Sequence, residues 1–357
     1  MSKKDRIFLE IIIGLVLITA AVYFFIEPQK ESIWPSERVD IDSGQREVMG
    51  TFARVIAVAA DSKTAKQCIE TAFVEITNVD KLMSDYKSDS EISEVNRDAA
   101  KRAVKVGKST FEVLQKSYEF SKLTDGSFDI TIGPLVDLWR LAETTDTLPT
   151  DAELQQALSK VGCDKLALDS GKQTVKFAVG GMRLDLGGVA KGYAVDRAVE
   201  VMQKRGGLGG MVEIGGDIRC FGVPPVGKER WRIGLQDSRK TGDDEDVSIG
   251  ELLLVLELVD AAVATSGNYQ RFAVIEGQRY SHILDAKTGN ACEELASVTV
   301  ISKSAIEADA LATAVSVMGP EKGLALIEQT PQAEAIIVTS APDYKFIKTT
   351  GAKKFIE

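Results

Sequence analysis

The feature that most constrains this chain is an apolar run near its N-terminus. After MSKKDR, which carries three cations, the segment IFLEIIIGLVLITAAVYFFI extends over residues 7–26. A helix of about 20 residues crosses a hydrocarbon core of about 30 Å, and the preceding cations place the N-terminus inside. A cleaved signal peptide is the competing interpretation, because Ala20-Ala21 permits cleavage, although the run exceeds the usual apolar length of about 7–15 residues. Both interpretations export the remainder of the chain, and an uncleaved anchor is favoured.

The composition predicts one folded domain beyond this segment. Of 357 residues, 44% are hydrophobic and 27% are charged, and the net charge is −10. This charge disfavours a nucleic-acid surface, which needs clustered Lys and Arg, but it permits binding of one nucleotide. We divide the chain into an anchor (1–26), a polar linker (27–46) and one compact domain (47–357). The four cysteines lie too far apart for a metal motif and are expected to be buried free thiols: Cys68, Cys163, Cys220 and Cys292.

Hydrophobic periodicity predicts an α+β fold with mixed or antiparallel sheets and flanking helices. Strands and helices do not alternate regularly, which disfavours a doubly wound parallel sheet. Helical patterns cover 64–82, 109–126, 151–160 and 304–319, and Ser304 with Glu307 forms a capping-box pattern at the last of these. The segment DGSFDITIGPLVDLW (125–139) is predicted to be non-helical. Strand patterns cover 48–60, 211–221, 231–236, 251–259, 271–276 and 296–301.

The stretch LDLGGVAKGYAVD (184–196) precedes a helical pattern and raises the question of phosphate binding. Free N–H groups at a helix N-terminus bind anions, but the spacing matches neither the dinucleotide fingerprint nor the P-loop. A tight turn is the simpler interpretation. Lys191 would lie in the first helical turn, where it opposes the helix dipole. That placement, together with Asp185 before the glycines, favours a bound anion.

Three further segments carry candidate functional side chains. Asp309 and Thr313 are four residues apart and share a helix face, and their hard oxygen ligands suit Mg²⁺. His282, the only histidine in the chain, precedes a turn and could accept a proton from a hydroxyl nucleophile. Asp285 could orient this histidine or act in its place. Tyr86 lies among polar residues and could stack on a ring.

In sequence order, these motifs resemble the ApbE-type FAD:protein FMN transferases. The matching stretches are MGTF, MSDYKSDSEISEVN, GSFDITIGPLVDLW, LDLGGVAKGYAVD, EIGGDIRCFG, TSGNYQRF, YSHILDAKTG and ASVTVISKSAIEADALATA. Each stretch is moderately specific, whereas their order and spacing together are strongly so. The resemblance implies cleavage of the FAD pyrophosphate with Mg²⁺, attachment of FMN through phosphate to a Thr or Ser of a target protein, and release of AMP.

The resemblance also assigns roles to positions in this chain. It implies a metal site formed by Asp309, Thr313 and the backbone carbonyl of Gly188, and it implies that His282 activates the acceptor hydroxyl. Ala312 stands where some members have a second aspartate, which disfavours a two-metal site. An alanine replaces the common proline in DAKTG. The implied FAD contacts are Met49, Tyr86, Ser127, Phe128, Asp129, Asp185, Lys191 and Leu284.

Other functions stay open on the sequence alone. Water in place of the acceptor hydroxyl would make the protein an FAD pyrophosphatase, and a flavin-binding protein without catalysis, or a purely structural anchored domain, is also conceivable. Retention of the metal and base positions favours the transferase. The anchor predicts a domain on the periplasmic side of the inner membrane, and family habit suggests acceptors in membrane redox complexes of the sodium-pumping NADH:quinone reductase or Rnf type.

Overall fold

The computed structural model describes residues 37–238, 252–267, 272–342 and 344–357. Contacts divide the chain into Met1–Arg38 and Val39–Glu357, and the described helices and strands belong to the second unit. The predicted membrane anchor lies outside the described residues. The predicted linker overlaps the domain, since residues 39–46 belong to its first strand.

An eight-stranded sheet, antiparallel throughout, forms the centre of the domain in the order β1-β2-β6-β7-β10-β13-β14-β15. Three small antiparallel sheets accompany it: β3-β5-β4, β8-β9 and β11-β12. The strands are β1 (Val39–Val48), β2 (Thr51–Ala59), β3 (Val104–Lys105), β4 (Leu166–Asp169), β5 (Thr174–Phe177), β6 (Gly209–Ile214), β7 (Asp217–Gly222), β8 (Trp231–Gln236), β9 (Leu252–Leu258), β10 (Ala262–Gly267), β11 (Phe272–Ile275), β12 (Gln278–Ser281), β13 (Leu295–Ser302), β14 (Glu334–Thr339) and β15 (Phe346–Lys348).

Three long helices cover one face of the central sheet and build the core with it. Helix α6 (Ala190–Lys204) packs between α1 (Ser62–Met83) and α7 (Ala305–Gln329), and α7 lies on β10 and β13. The first half of α7 is almost wholly buried, whereas Gly319 (φ 78°) and Pro320 interrupt it. The helices are α1 (Ser62–Met83), α2 (Glu91–Asp98), α3 (Lys108–Leu123), α4 (Gly133–Thr145), α5 (Asp151–Leu158), α6 (Ala190–Lys204) and α7 (Ala305–Gln329).

One described helix, α7, has the length and apolar composition of a membrane span. Half of its most apolar window is buried within the domain, and the interruption at Gly319 divides it. We therefore assign α7 to the core of the domain.

The structure confirms the α+β class and most of the elements, and it corrects two local predictions. The segment 133–139 is the start of α4, because Pro134 lies in the first helical turn, where its missing N–H is not needed. The capping box at Ser304 does not form, since the Ser304 side chain makes no cap hydrogen bond. Glu307 instead accepts a hydrogen bond from Ser302, and a residue of another helix caps α7.

All four cysteines are free, as expected from their spacing. Cys68, Cys163 and Cys220 are buried, while Cys292 is partly buried. Burial raises the pKa of all four thiols, and that of Cys163 and Cys292 reaches about 12. None of them therefore has the thiolate character that a reactive cysteine needs.

Candidate active site

The glycine-rich stretch forms a tight turn that delivers the chain into α6. The Asp185 carboxylate accepts a hydrogen bond from the Gly187 N–H at 2.7 Å, and the Asp185 N–H donates to the Ile130 carbonyl at 2.8 Å. Buried Leu184 and Leu186 anchor the turn in the core. The turn is thus fixed by its own side chains and exposes a short run of glycine backbone.

Gly188 lies in direct contact with α7. A β-carbon at this position would approach the Thr313 Oγ1 to 3.0 Å and the Phe128 ring to 3.4 Å. Only glycine lets the backbone come this close to the Thr313 hydroxyl without a shift of the neighbours. The structure therefore brings together the backbone and the hydroxyl that the family resemblance assigned to one metal site.

Asp309 completes this group from the second turn of α7. Its side chain is nearly buried, with the residue 4% exposed, and its Oδ2 accepts a hydrogen bond from the Gly192 N–H at 3.1 Å. The same oxygen lies 3.8 Å from the Lys191 Nζ. The beginning of α6 and the Asp309–Thr313 face of α7 are thus packed against each other.

Asp217, which the sequence reasoning missed, pairs with Lys191. It follows the two-residue turn Gly215-Gly216, in which both glycines have positive φ (56° and 94°). Asp217 is 1% exposed, and burial together with the negative charge of Asp309 raises the pKa of its carboxyl to about 8. The signal in the sequence was an aspartate directly after a strand and a Gly-Gly pair, which predicts a hairpin.

The donor set at this point fits Mg²⁺. It combines the backbone carbonyl of Gly188, the hydroxyl of Thr313 and the carboxylate of Asp309, which are all hard oxygen ligands. Asp217 and Asp309 are two buried carboxylates beside one lysine, so ionisation of both leaves an excess negative charge that a cation would offset. The residues present therefore match the predicted ion in chemistry and in charge.

A second group of predicted residues lies around the side chain of Asp185. Tyr86 is 80% exposed, and its hydroxyl accepts a hydrogen bond from the Arg140 Nη2 at 2.7 Å. The same nitrogen lies 3.8 Å from the Asp185 Oδ2. Burial raises the pKa of the Asp185 carboxyl, and nearby Arg140 and Arg183 oppose this rise.

The segment 127–129 lies beneath the glycine turn. Phe128 is buried and packs edge-to-face on Phe120 with ring centroids 6.1 Å apart. The Asp129 carboxylate accepts hydrogen bonds from the Thr131 N–H (2.8 Å) and the Cys163 N–H (3.0 Å), so it holds the local backbone. Ser127 is mostly buried next to Phe128. Contact of this segment with FAD stays a prediction. Phe128 connects the segment to the candidate metal ligands, because its ring lies beside Gly188.

Met49 lies at the turn between β1 and β2. Its φ is 49°, and Gly50 follows with a φ of 67°. The neighbouring Thr51 side chain lies 3.0 Å from the position that a Gly215 β-carbon would occupy. The turn that contains Met49 is therefore close to the hairpin that leads to Asp217.

The predicted proton acceptors lie in the loop that follows β12. His282 is exposed. The Asp285 carboxylate accepts hydrogen bonds from the Lys287 N–H at 2.8 Å and the Thr288 hydroxyl at 2.9 Å. Asp285 thus stabilises the DAKTG turn, which favours His282 over Asp285 as the base. Leu284 is buried in a small cluster with Leu135.

Two contacts attach this loop to the rest of the site. The Trp139 Nε1 on α4 donates a hydrogen bond to the Gly289 carbonyl at 2.9 Å, and the Lys287 Nζ lies 2.8 Å from the Asp125 carboxylate. Asp125 precedes the segment 127–129 by two residues. The loop with His282 is therefore held next to α4 and to the predicted FAD segment.

The chain is similar to flavin transferases along most of its length. The ApbE family model matches residues 49–337. An FAD:protein FMN transferase of Vibrio cholerae is 34% identical over 329 residues, which cover 90% of this chain and 94% of the relative. The structure of the flavin transferase ApbE from Vibrio cholerae superposes with a TM-score of 0.74 at 31% identity, covering 90% of this chain and 100% of the other. The ApbE protein of Thermotoga maritima gives a TM-score of 0.76 at 30% identity, with 90% and 99% coverage.

Proposed function

Because the chain belongs to the ApbE family, we propose that it is an FAD:protein FMN transferase that works with Mg²⁺ and a protein acceptor. The observation that carries the proposal is the junction of α6 and α7, where Gly188, Asp309 and Thr313 meet. Lys191 supplies a positive charge at the same junction. The proposed metal and phosphate chemistry then has named residues at one junction of the domain.

The reaction is a phosphoryl transfer. The hydroxyl oxygen of an acceptor Thr or Ser forms a bond to the phosphorus on the flavin side of the pyrophosphate. The bond from that phosphorus to the bridging oxygen breaks, and AMP leaves with this oxygen and the electron pair. The hydroxyl proton passes to the imidazole of His282. Catalysis of this kind depends on positioning and on charge stabilisation.

The chain's own residues contribute binding, orientation and charge. Asp309, Thr313 and the Gly188 carbonyl would hold Mg²⁺, which when bound supplies positive charge to the phosphate oxygens. Lys191 lies within reach of both buried carboxylates, and a phosphate in the site would share its positive charge. The imidazole of His282 is exposed, so a hydroxyl on another protein could reach it.

The partners follow from the chemistry and from the N-terminal segment. FAD is the donor substrate, and the acceptor is a protein with a Thr or Ser. The apolar run at residues 7–26 supports a place at the inner membrane with the domain on the periplasmic side. Acceptors in membrane redox complexes of the Nqr or Rnf type would face the same side.

A transfer assay tests the function. The protein is incubated with FAD, Mg²⁺ and a candidate acceptor peptide, and flavin fluorescence on the peptide is read after electrophoresis. Labelled peptide supports the transferase. Free FMN and AMP without labelled peptide would identify an FAD pyrophosphatase instead, and intact FAD would identify a flavin-binding protein.

Two variants connect the assay to the site. Asp309→Ala should abolish Mg²⁺-dependent labelling, whereas Asp169→Ala, which changes an exposed residue at the end of β4, is the matched control and should label normally. His282→Ala should lose labelling but retain FAD binding. Because His282 is the only histidine, its imidazole gives a single set of proton resonances that reports its protonation directly. Full labelling by Asp309→Ala in the presence of a chelator would exclude the metal site.

A further inference from the structure

We infer that Arg140 on α4 is a positioning residue for FAD, because it joins the exposed ring of Tyr86 to the glycine turn through Asp185. The inference rests on the proposed function, since it takes FAD as the ligand. It assigns Tyr86 as a prearranged stacking platform for one planar ring of the dinucleotide. It also makes Arg140 the part that sets where this ring lies relative to the pyrophosphate.

The state of Tyr86 is the first observation. Its ring is 80% exposed, which is unusual for a side chain that gains free energy by burial. Yet the ring is not free to rotate away. The Arg140 Nη2 donates a hydrogen bond to its hydroxyl at 2.7 Å, and the guanidinium carbon lies 4.9 Å from the ring centroid. A fixed, open aromatic surface binds a planar ligand with little loss of conformational entropy.

Arg140 is itself held by acidic side chains. Its Nη1 lies 3.6 Å from the Asp85 carboxylate and 3.9 Å from that of Asp137. Arg183 neutralises the same two acids, since its Nη2 lies 2.6 Å from Asp85 and its Nη1 contacts Asp137. Together with Asp185, three carboxylates thus surround the two guanidinium groups. The fork of Arg140 is oriented from two sides before any ligand arrives.

The third carboxylate connects this group to the glycine turn. The Arg140 Nη2 lies 3.8 Å from the Asp185 Oδ2, while the Asp185 Oδ1 accepts from the Gly187 N–H. One guanidinium nitrogen therefore contacts both the ring platform and the residue that closes the turn before Gly188. A lysine could not reproduce this, because its single ammonium lacks the planar fork of arginine.

An ordinary surface ion pair is the alternative explanation of Arg140. Exposed pairs contribute little to stability, and the Arg140 side chain is 39% exposed. The two explanations differ in what they predict for FAD. If Arg140 only forms surface ion pairs, its removal should leave the FAD affinity unchanged. If Arg140 positions Tyr86, its removal should lower the FAD affinity.

The experiment is a double-mutant cycle on FAD binding without an acceptor. FAD affinity is measured by calorimetry for the wild type, Arg140→Ala, Tyr86→Ala and the double variant, and the visible flavin band reports stacking. Loss of a charged hydrogen bond and of a cation–π contact should weaken binding about tenfold in Arg140→Ala. Arg140→Lys should recover part of the affinity. Arg102→Ala, which removes only exposed pairs with Glu94 and Asp98, is the matched control.

In the Tyr86→Ala background, Arg140→Ala should change FAD affinity less than about twofold, because the platform is already absent. Equal FAD affinity in Arg140→Ala and wild type, or the same loss with and without Tyr86, would overturn the inference and leave the transferase intact. A wild type that does not bind FAD would overturn both. Should Arg140→Ala fail to fold, Arg140→Gln carries the same prediction.

Discussion

Replacing Asp196 by alanine tests how the junction of α6 and α7 is held together. Asp196 lies on α6 and is 7% exposed. Its Oδ1 accepts hydrogen bonds from the Ala305 N–H at 2.9 Å and from the Arg219 Nη1 at 2.7 Å, and its Oδ2 accepts from the Ile306 N–H at 3.0 Å. Asp196 therefore caps α7 from another helix, in place of the Ser304 side chain.

The contacts set the size of the effect. Loss of a helix N-cap costs about 1 kcal/mol, and removal of one partner from a buried charged pair costs roughly 3–5 kcal/mol. Because the Arg219 side chain is 25% exposed and can regain water, we expect the lower end. Asp196→Ala should thus lower the free energy of unfolding by about 3 kcal/mol. Asp196→Asn keeps one acceptor oxygen and should lose about half as much.

Urea unfolding followed by tryptophan fluorescence measures this loss, with Asp61→Ala as the matched control. Exposed Asp61 caps α1 through the Thr64 N–H at 2.9 Å, and its removal should cost clearly less than that of Asp196. The same variants are then titrated with Mg²⁺. Because Asp196 fixes the start of α7, its loss should weaken Mg²⁺ binding, whereas Asp61→Ala should not. A cost no larger than that of Asp61→Ala, with unchanged Mg²⁺ affinity, would refute the reasoning.

Two further predictions concern the candidate metal ligand Gly188 and the neighbouring acid Asp217. Gly188→Ala should fold with a cost of about 1 kcal/mol, because its β-carbon would lie 3.0 Å from the Thr313 Oγ1. Calorimetric titration should show at least about tenfold weaker Mg²⁺ binding, and unchanged affinity would contradict the close approach. In the presence of a metal chelator, Asp217 keeps its proton in the folded protein up to a pH of about 8, whereas in the unfolded chain it loses the proton near pH 4. The free energy of unfolding should therefore fall as the pH rises between these values, by at most about 1.4 kcal/mol per pH unit. Urea unfolding at a series of pH values measures this slope for the wild type and for Asp217→Asn, and the substitution should make the slope smaller. An identical slope in the two proteins would exclude Asp217 as its source.

The sequence predicted those parts of the site that depend on local spacing. Asp309 and Thr313 share a helix face because they are four residues apart, and the Gly187-Gly188 pair before a helical pattern predicts a tight turn. Asp217 escaped notice because its role arises when β7 pairs with β6 and places the residue opposite Lys191. Arg140 escaped notice because it directly follows the segment 125–139, which was predicted to be non-helical, and this hid the helix face that it shares with Asp137.

The capping error at Ser304 has the same physical origin. The pattern Ser304–Glu307 satisfies the local rule for a capping box, but the buried carboxylate of Asp196 on a neighbouring helix accepts hydrogen bonds from the free N–H groups of α7. A charged acceptor binds these groups more strongly than the neutral hydroxyl of partly exposed Ser304. Local pattern cannot report a partner that is 109 residues away in the chain. Long-range hydrogen bonds to helix ends are therefore the part of this fold least accessible from sequence.

Lys191 shows how the structure changes the argument for a bound anion. A lysine in the first turn of a helix opposes the dipole, which from sequence alone favoured a phosphate between the two. The structure provides another reason for the lysine, since Asp217 and Asp309 both lie beside its ammonium. Lys191 alone therefore no longer implies an anion. Asp217 and Asp309 carry the implication instead. When both buried carboxylates are ionised, their charge exceeds that of one lysine, so the junction can hold a cation, and a cation beside the N-terminus of α6 in turn attracts phosphate.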